Sequence, residues 1–183
     1  MKVTPTALPE VLLIEPKVFG DDRGFFYESY NERKFVEAAG LSEIPHFVQD
    51  NHSRSARSVL RGLHYQIRQA QGKLVRVVAG EVFDVVVDIR RSSPTFGKWT
   101  GTLLNARDAR QLWVPPGFAH GFVVVSEAAE FLYKTTDYWA PEHERCIRWD
   151  DPTLAIAWPD GIAPILSDKD KLGSSFAEAE VFE

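Results

Sequence analysis

Leu74-Val75-Arg76-Val77-Val78-Ala79-Gly80-Glu81-Val82-Phe83-Asp84-Val85-Val86-Val87-Asp88-Ile89 is the stretch whose reading decides the fold. Branched side chains crowd a helix and suit a pleated strand, and a glycine between two such runs marks a reversal. The segment therefore predicts two strands, 74–78 and 82–89, joined as a hairpin through Ala79-Gly80-Glu81. Outward from it the same punctuation repeats. Short apolar runs at 11–14, 25–27, 47–53, 99–104, 111–114, 121–125 and 130–136 alternate with turn residues. One helix interrupts them, with Asn31 suited to cap Glu32–Ala39 and Gly40 suited to stop it. The pattern predicts an all-β fold, a closed double-sheet jelly roll with one or a few short helices. No linker or repeat divides residues 1–183, which read as one domain with a core over about 13–171 and a loosely held tail at 173–183.

Composition excludes several classes. A net charge of -5 over 183 residues argues against a nucleic-acid binder, while leaving room for a local basic pocket. No run approaches the ~20 apolar residues of a membrane span, and the N-terminus lacks an apolar signal core. Cys146 is the single cysteine, so no internal disulfide can form; it reads as a small apolar filler in a reducing compartment. A cytoplasmic protein is expected.

The chemistry concentrates in Leu60-Arg61-Gly62-Leu63-His64-Tyr65-Gln66 and Gly72-Lys73-Leu74-Val75-Arg76. On a strand His64 and Gln66 share a face, whereas Arg61, three residues before His64, needs a tilt or a bulge to reach the same cavity. An imidazole that titrates near neutrality beside fixed cations suits proton abstraction from an anionic substrate. The same spacing also fits a basic surface strand. Phe131 and Tyr133 share another strand face, where a phenol either packs or donates a proton. Ser167-Asp168-Lys169-Asp170 lies far off in sequence, and either aspartate can orient an imidazole or cap a helix.

Pro115-Pro116-Gly117-Phe118-Ala119-His120 carries the P-x-G-x-x-H spacing of cupins, small β-barrels that often hold a metal. The H-x-H that would precede it is His64-Tyr65-Gln66, and Ala70 and Gln71 stand where a glutamate ligand is expected. With two of four ligands missing, a metal-free barrel is the expectation.

Taken together, Phe19-Gly20-Asp21-Asp22-Arg23-Gly24-Phe25-Phe26-Tyr27-Glu28, Val48-Gln49-Asp50-Asn51, the two segments around His64 and Lys73, Pro116–Phe122, Phe131–Thr136, Trp149-Asp150-Asp151-Pro152 and Leu166–Asp170 resemble the dTDP-4-dehydrorhamnose 3,5-epimerase family, metal-independent cupin enzymes. The resemblance implies that His64 is a base held by Asp170, that Lys73 stabilises an enolate, and that Tyr133 protonates the opposite face at C5. It implies substrate contacts at Arg23, Phe26, Glu28, Gln49, Asn51, Arg61, His120, Tyr138 and Glu144. It further implies dTDP-4-keto-6-deoxy-D-glucose as substrate, no cofactor or metal, and a homodimer with exchanged N-terminal strands. Trp139, Arg145 and Cys146 depart from what many members carry. Epimerases of C3 alone or C5 alone, a metal-dependent cupin built on His64 and His120, and a nucleotide-sugar binding module are the competing readings.

Overall fold

A computed structural model describes residues 1–183. Its strands are β1 (Lys2–Pro5), β2 (Leu12–Glu15), β3 (Val18–Asp21), β4 (Gly24–Tyr27), β5 (Gln49–Ala56), β6 (Leu60–Gln66), β7 (Lys73–Ala79), β8 (Glu81–Asp88), β9 (Trp99–Asn105), β10 (Gln111–Val114), β11 (Phe118–Val124), β12 (Ala128–Thr135) and β13 (Glu144–Cys146). Two short helices, α1 (Glu32–Ala39) and α2 (Asp168–Lys171), complete it. A six-stranded sheet runs β1-β2-β10-β7-β12-β5 and a five-stranded sheet runs β13-β6-β11-β8-β9, every pairing antiparallel. The double-sheet jelly roll is present.

The central segment forms two strands but not a hairpin. β7 belongs to the six-stranded sheet and β8 to the five-stranded one, so Gly80 carries the chain across from one sheet to the other. Its φ is +72°, and a Cβ there would meet the Ala128 carbonyl oxygen at 1.9 Å, so only glycine makes this corner. Hairpin turns and sheet-to-sheet corners call for the same residue types, which is why the local signal misled.

Alternation along these strands decides what faces the interior. Val75 and Val77 from β7, Val82 and Val86 from β8, Phe118, Phe122 and Val124 from β11 and Phe131 from β12 fill the space between the sheets. The intervening residues of β8 are apolar as well because the outer face of that sheet is covered: Leu63, Tyr65, Val85 and Val87 pack beneath Ile147, Leu154, Phe176 and Phe182. The expected loose tail is thus tied down. Phe182 exchanges backbone hydrogen bonds with Ile89 and Arg91, Ala179 is buried, and Tyr65 Oη donates to the Glu180 carbonyl at 2.5 Å.

α1 covers the outer face of the six-stranded sheet. Asn31 Oδ1 accepts from the Lys34 N–H at 3.1 Å, Gly40 ends the helix in the left-handed region, and Phe35 is buried against Leu12, Ile14, Leu74 and Trp113. β3 and β4 pair only with each other, and the hairpin leaves Phe19, Phe25 and Phe26 at 53%, 72% and 71% exposure.

Candidate active site

A cavity of about 580 Å³ opens between the sheets at one end of the apolar core. The alternation that points Val75 and Val77 inward also points Lys73 inward, and that of Phe131 carries Tyr133 into the same space. On the opposite wall His64 faces the cavity from β6. Between Arg61 and His64 the β6–β11 register slips, with His120 opposite His64 and Phe122 opposite Arg61. That is the irregularity the three-residue spacing requires, and Arg61 lines the cavity beside His64. Gly62 and Gly121 make it possible: a Cβ on Gly62 would lie 2.6 Å from Gly121 Cα.

His64 Nε2 meets Asp170 Oδ1 at 2.5 Å. Asp170 is buried at the N-terminal end of α2, where the Ser167 hydroxyl donates to its other oxygen at 2.6 Å and the Gly62 N–H approaches Oδ1 at 3.4 Å. Burial pushes this carboxyl up, but the hydrogen bonds from His64, Ser167 and Gly62 outweigh it and hold it down to about 2. An ionised carboxylate only accepts, so the proton of a neutral imidazole sits on Nε2 and Nδ1 keeps the lone pair. Asp168, the other candidate, is exposed and pairs with Lys171 at 3.0 Å.

Lys73 is buried, and its ammonium donates to the His64 carbonyl at 3.3 Å. Burial pulls it down to about 8, with Glu144 and Asp84 opposing. Burial raises the Tyr133 phenol, Glu144 adding and Arg61 opposing, so it keeps its proton at neutral pH. His120 Nε2 lies 2.9 and 3.0 Å from the oxygens of Asp84, a fully buried carboxylate that burial raises despite His120 and Lys73. Glu144 bonds Trp139 Nε1 at 3.3 Å and pairs with Lys169. Burial raises its carboxyl, and Lys169 and Trp139 bring it below the ordinary range.

At the mouth, Tyr138 and Trp139 are each 60% exposed. Gln49 Nε2 donates to Asn51 Oδ1 at 3.0 Å, while Asn51 Nδ2 is buried with no partner. Gln66, which stands at the second position of the cupin H-x-H, is committed elsewhere. Its amide bonds the Gln69 and Tyr138 carbonyls and the Ala140 N–H. The fold thus brings Gln49, Asn51, Arg61, His64, Lys73, His120, Tyr133, Tyr138 and Glu144 to one cavity and Asp170 behind it. It does not bring Arg23, Phe26 and Glu28 there. Arg23 pairs with Asp21 at 2.5 Å on the projecting hairpin, and Glu28 with Lys34 at 2.9 Å.

The family model described as dTDP-4-dehydrorhamnose 3,5-epimerase matches residues 5–178. The chain belongs to the dTDP-4-dehydrorhamnose 3,5-epimerase family. It is 69% identical over 182 residues to the enzyme of that name from Pseudomonas aeruginosa, covering 100% of this chain and 99% of the other. A Legionella pneumophila dTDP-6-deoxy-D-glucose-3,5-epimerase, solved in complex with dTDP-4-keto-L-rhamnose, superposes with a TM-score of 0.94 at 52% identity, over 98% of this chain and 94% of that one. ChmJ, a 3'-monoepimerase from Streptomyces bikiniensis solved with dTDP-quinovose, gives 0.89 at 32% identity, over 97% and 88%.

Within this epimerase-family scaffold, sequence reasoning passed over Asp84, Ser167 and Lys169. Asp84 had a legible signal: a carboxylate at an inward position between apolar neighbours needs a partner. The Cys146 sulfur lies 3.9 Å from Asp170 Oδ1.

Proposed function

We propose that the chain inverts C3 and C5 of dTDP-4-keto-6-deoxy-D-glucose to give dTDP-4-keto-L-rhamnose. The observation that carries this reading is one cavity with a carboxylate-held imidazole on one sheet and a protonated phenol on the other. The 4-keto group acidifies the C–H bonds on either side of it. His64 Nδ1 takes the proton, the electron pair moves onto O4 as an enolate, and the Lys73 ammonium stabilises that charge. Tyr133 returns a proton to the opposite face at C5, which inverts the centre. His64 and the substrate carbonyl together supply base and electron sink.

Arg61 is assigned to the diphosphate, Asn51 and Gln49 to the thymine, and Tyr138 to stacking. The unpartnered Asn51 Nδ2 supports this, being a buried donor in want of an acceptor. For Arg23, Phe26 and Glu28 the reading is a homodimer in which the β3–β4 hairpin enters the partner's cavity. The exposure of Phe19, Phe25 and Phe26 supports it, since an isolated two-stranded ribbon is unstable alone. The reading places the reaction in the cytoplasm, where a single unpaired cysteine is at home. No helix is long and apolar enough to cross a membrane.

Incubation with the substrate in D2O tests the assignment. Deuterium is expected at both C3 and C5, and its absence from both ends the proposal. The likeness to a 3'-monoepimerase supports one second reading, inversion at C3 alone. Product stereochemistry by NMR separates the two.

A further inference from the structure

Cys146 lies directly across from His64 in the β13–β6 pairing, so the two side chains share a sheet face. Asp170 reaches the same spot from α2. A His64 ring nitrogen, Cys146 Sγ and an Asp170 carboxylate oxygen all lie within 4.8 Å of one another. The sulfur makes only long contacts, 3.6 Å to the Ile147 carbonyl and 3.9 Å to Asp170 Oδ1. It is therefore not committed to another strong partner. We propose that His64, Cys146 and Asp170 form a site for a thiophilic divalent cation such as Zn2+, and that occupation of this site switches the epimerase off.

The donor set is one imidazole nitrogen, one sulfur and one carboxylate oxygen, a mixture that suits Zn2+ and disfavours Mg2+. With metal–ligand bonds of about 2.0–2.3 Å, tetrahedral ligands stand roughly 3.3–3.6 Å apart, so the His64–Asp170 contact opens by about 1 Å and the sulfur, within 4.8 Å of the other two donors, closes on them by up to about 1.5 Å. A fourth position is left for water. His64 lines the cavity, which provides the entry path. This set is distinct from the cupin pattern, because His120 keeps its own carboxylate, Asp84.

The consequence for catalysis follows from the imidazole's proton count. Asp170 now accepts the Nε2 proton and leaves Nδ1 with its lone pair. A cation on Nε2 displaces that proton to Nδ1, and the thiol proton leaves to solvent. A neutral imidazole has one free lone pair, so a metallated His64 has none for the substrate. The inhibitory half of the proposal rests on His64 being the base; the binding half does not.

Titration calorimetry with ZnCl2 on the metal-free protein, beside the deuterium-exchange assay, tests both halves. Wild type is expected to bind one Zn2+ per chain and to lose exchange activity as the site fills. Cys146→Ser and Cys146→Ala, which leave the metal-free activity in place, should each bind Zn2+ at least ~10-fold more weakly and resist inhibition to the same degree. Co2+ should give a sulfur-to-metal charge-transfer band that both variants lack, and MgCl2 should neither bind nor inhibit. Equal Zn2+ affinity in wild type and both variants, or no binding by wild type, overturns the site. Cys146-dependent binding to a protein that never exchanges deuterium upholds the metal site and overturns the epimerase reading instead.

Discussion

Two histidine–aspartate pairs stand side by side in this cavity, and they are not equivalent. His64 and His120 are cross-strand partners, and each lies within hydrogen-bond reach of a carboxylate. Asp170 and Asp84 are 3% and 0% exposed, so burial alone would push both carboxyls up. It does so at Asp84, whose hydrogen-bond donor is His120 alone, with Lys73 acting at longer range. At Asp170 three donors converge on two oxygens, and the carboxyl falls to about 2 instead. Deeper burial with a single donor leaves Asp84 raised, whereas shallower burial with three donors makes Asp170 a fixed acceptor. The other pair is the more deeply buried. It is also packed: His120 stacks at 28° on Phe131, with ring centroids 6.2 Å apart.

The strongest attempt to break this contrast removes one member of each pair. His64→Ala should abolish deuterium exchange at both carbons, a loss of about 10³-fold or more, whereas His120→Ala should cost far less and act mainly on KM. Asp170→Asn should follow His64→Ala at roughly 10²–10⁴-fold, because an amide in place of the acceptor no longer fixes the tautomer. Matched losses at 64 and 120, measured as kcat for exchange, would show that the two imidazoles share the work. Next in size is Lys73→Ala, at about 10²–10³-fold in kcat with little change in KM, as for a donor that acts on charge developed in the transition state. The lysine also sets the alkaline limb. Its ammonium is lost above a pKa of about 8, so kcat/KM should fall there, and Lys73→Arg should carry activity to higher pH.

How far the sequence alone reached can be judged from particular residues. α1 was readable to its ends, because Asn31 and Gly40 act through local geometry that no distant contact modifies. The bulge at Gly62 was readable from an argument about faces: Arg61 and His64 cannot share one at a three-residue spacing without it. The shared face of Phe131 and Tyr133 was readable by the same alternation, whereas Lys73 came only from the family resemblance. The corner at Gly80 was not, since nothing within a few residues distinguishes a chain that pairs back from one that crosses to another sheet. Nor was the choice between Asp168 and Asp170, which depends on how α2 meets β6 across a sequence separation of 106. The ordering of residues after 173 depends on side chains such as Phe176 and Phe182 finding an apolar sheet face that the local pattern does not reveal.

Tyr133→Phe sharpens the contrast between the two walls. It removes the acid on the six-stranded sheet and leaves the base on the other untouched, so exchange at C3 should persist while inversion at C5 falls by about 10²-fold. An equal fall at both carbons, seen by NMR of the deuterated product, would place both proton transfers on one wall.

The smallest expected effect separates the carboxylates themselves. Asn resembles a protonated acid, the form that burial favours at Asp84, so Asp84→Asn should change kcat by under about 10-fold. The pH dependence of its thermal stability relative to wild type should nonetheless run opposite to that of Asp170→Asn. Asp170 is lowered in the folded state, so its contribution is present above the unfolded value near ~3.9 and is lost as pH falls toward about 2. Replacing it should therefore cost more at pH 5 than at pH 2. Asp84 is raised, so the folded chain holds its proton longer than the unfolded one, and the native state pays as pH climbs past ~3.9. Replacing it should cost less, relative to wild type, as pH rises through that range. Melting curves of the two variants across acid pH should therefore diverge from wild type with opposite slopes. Parallel slopes would mean that both carboxylates feel the same environment, and that donors and burial do not set Asp170 apart from Asp84.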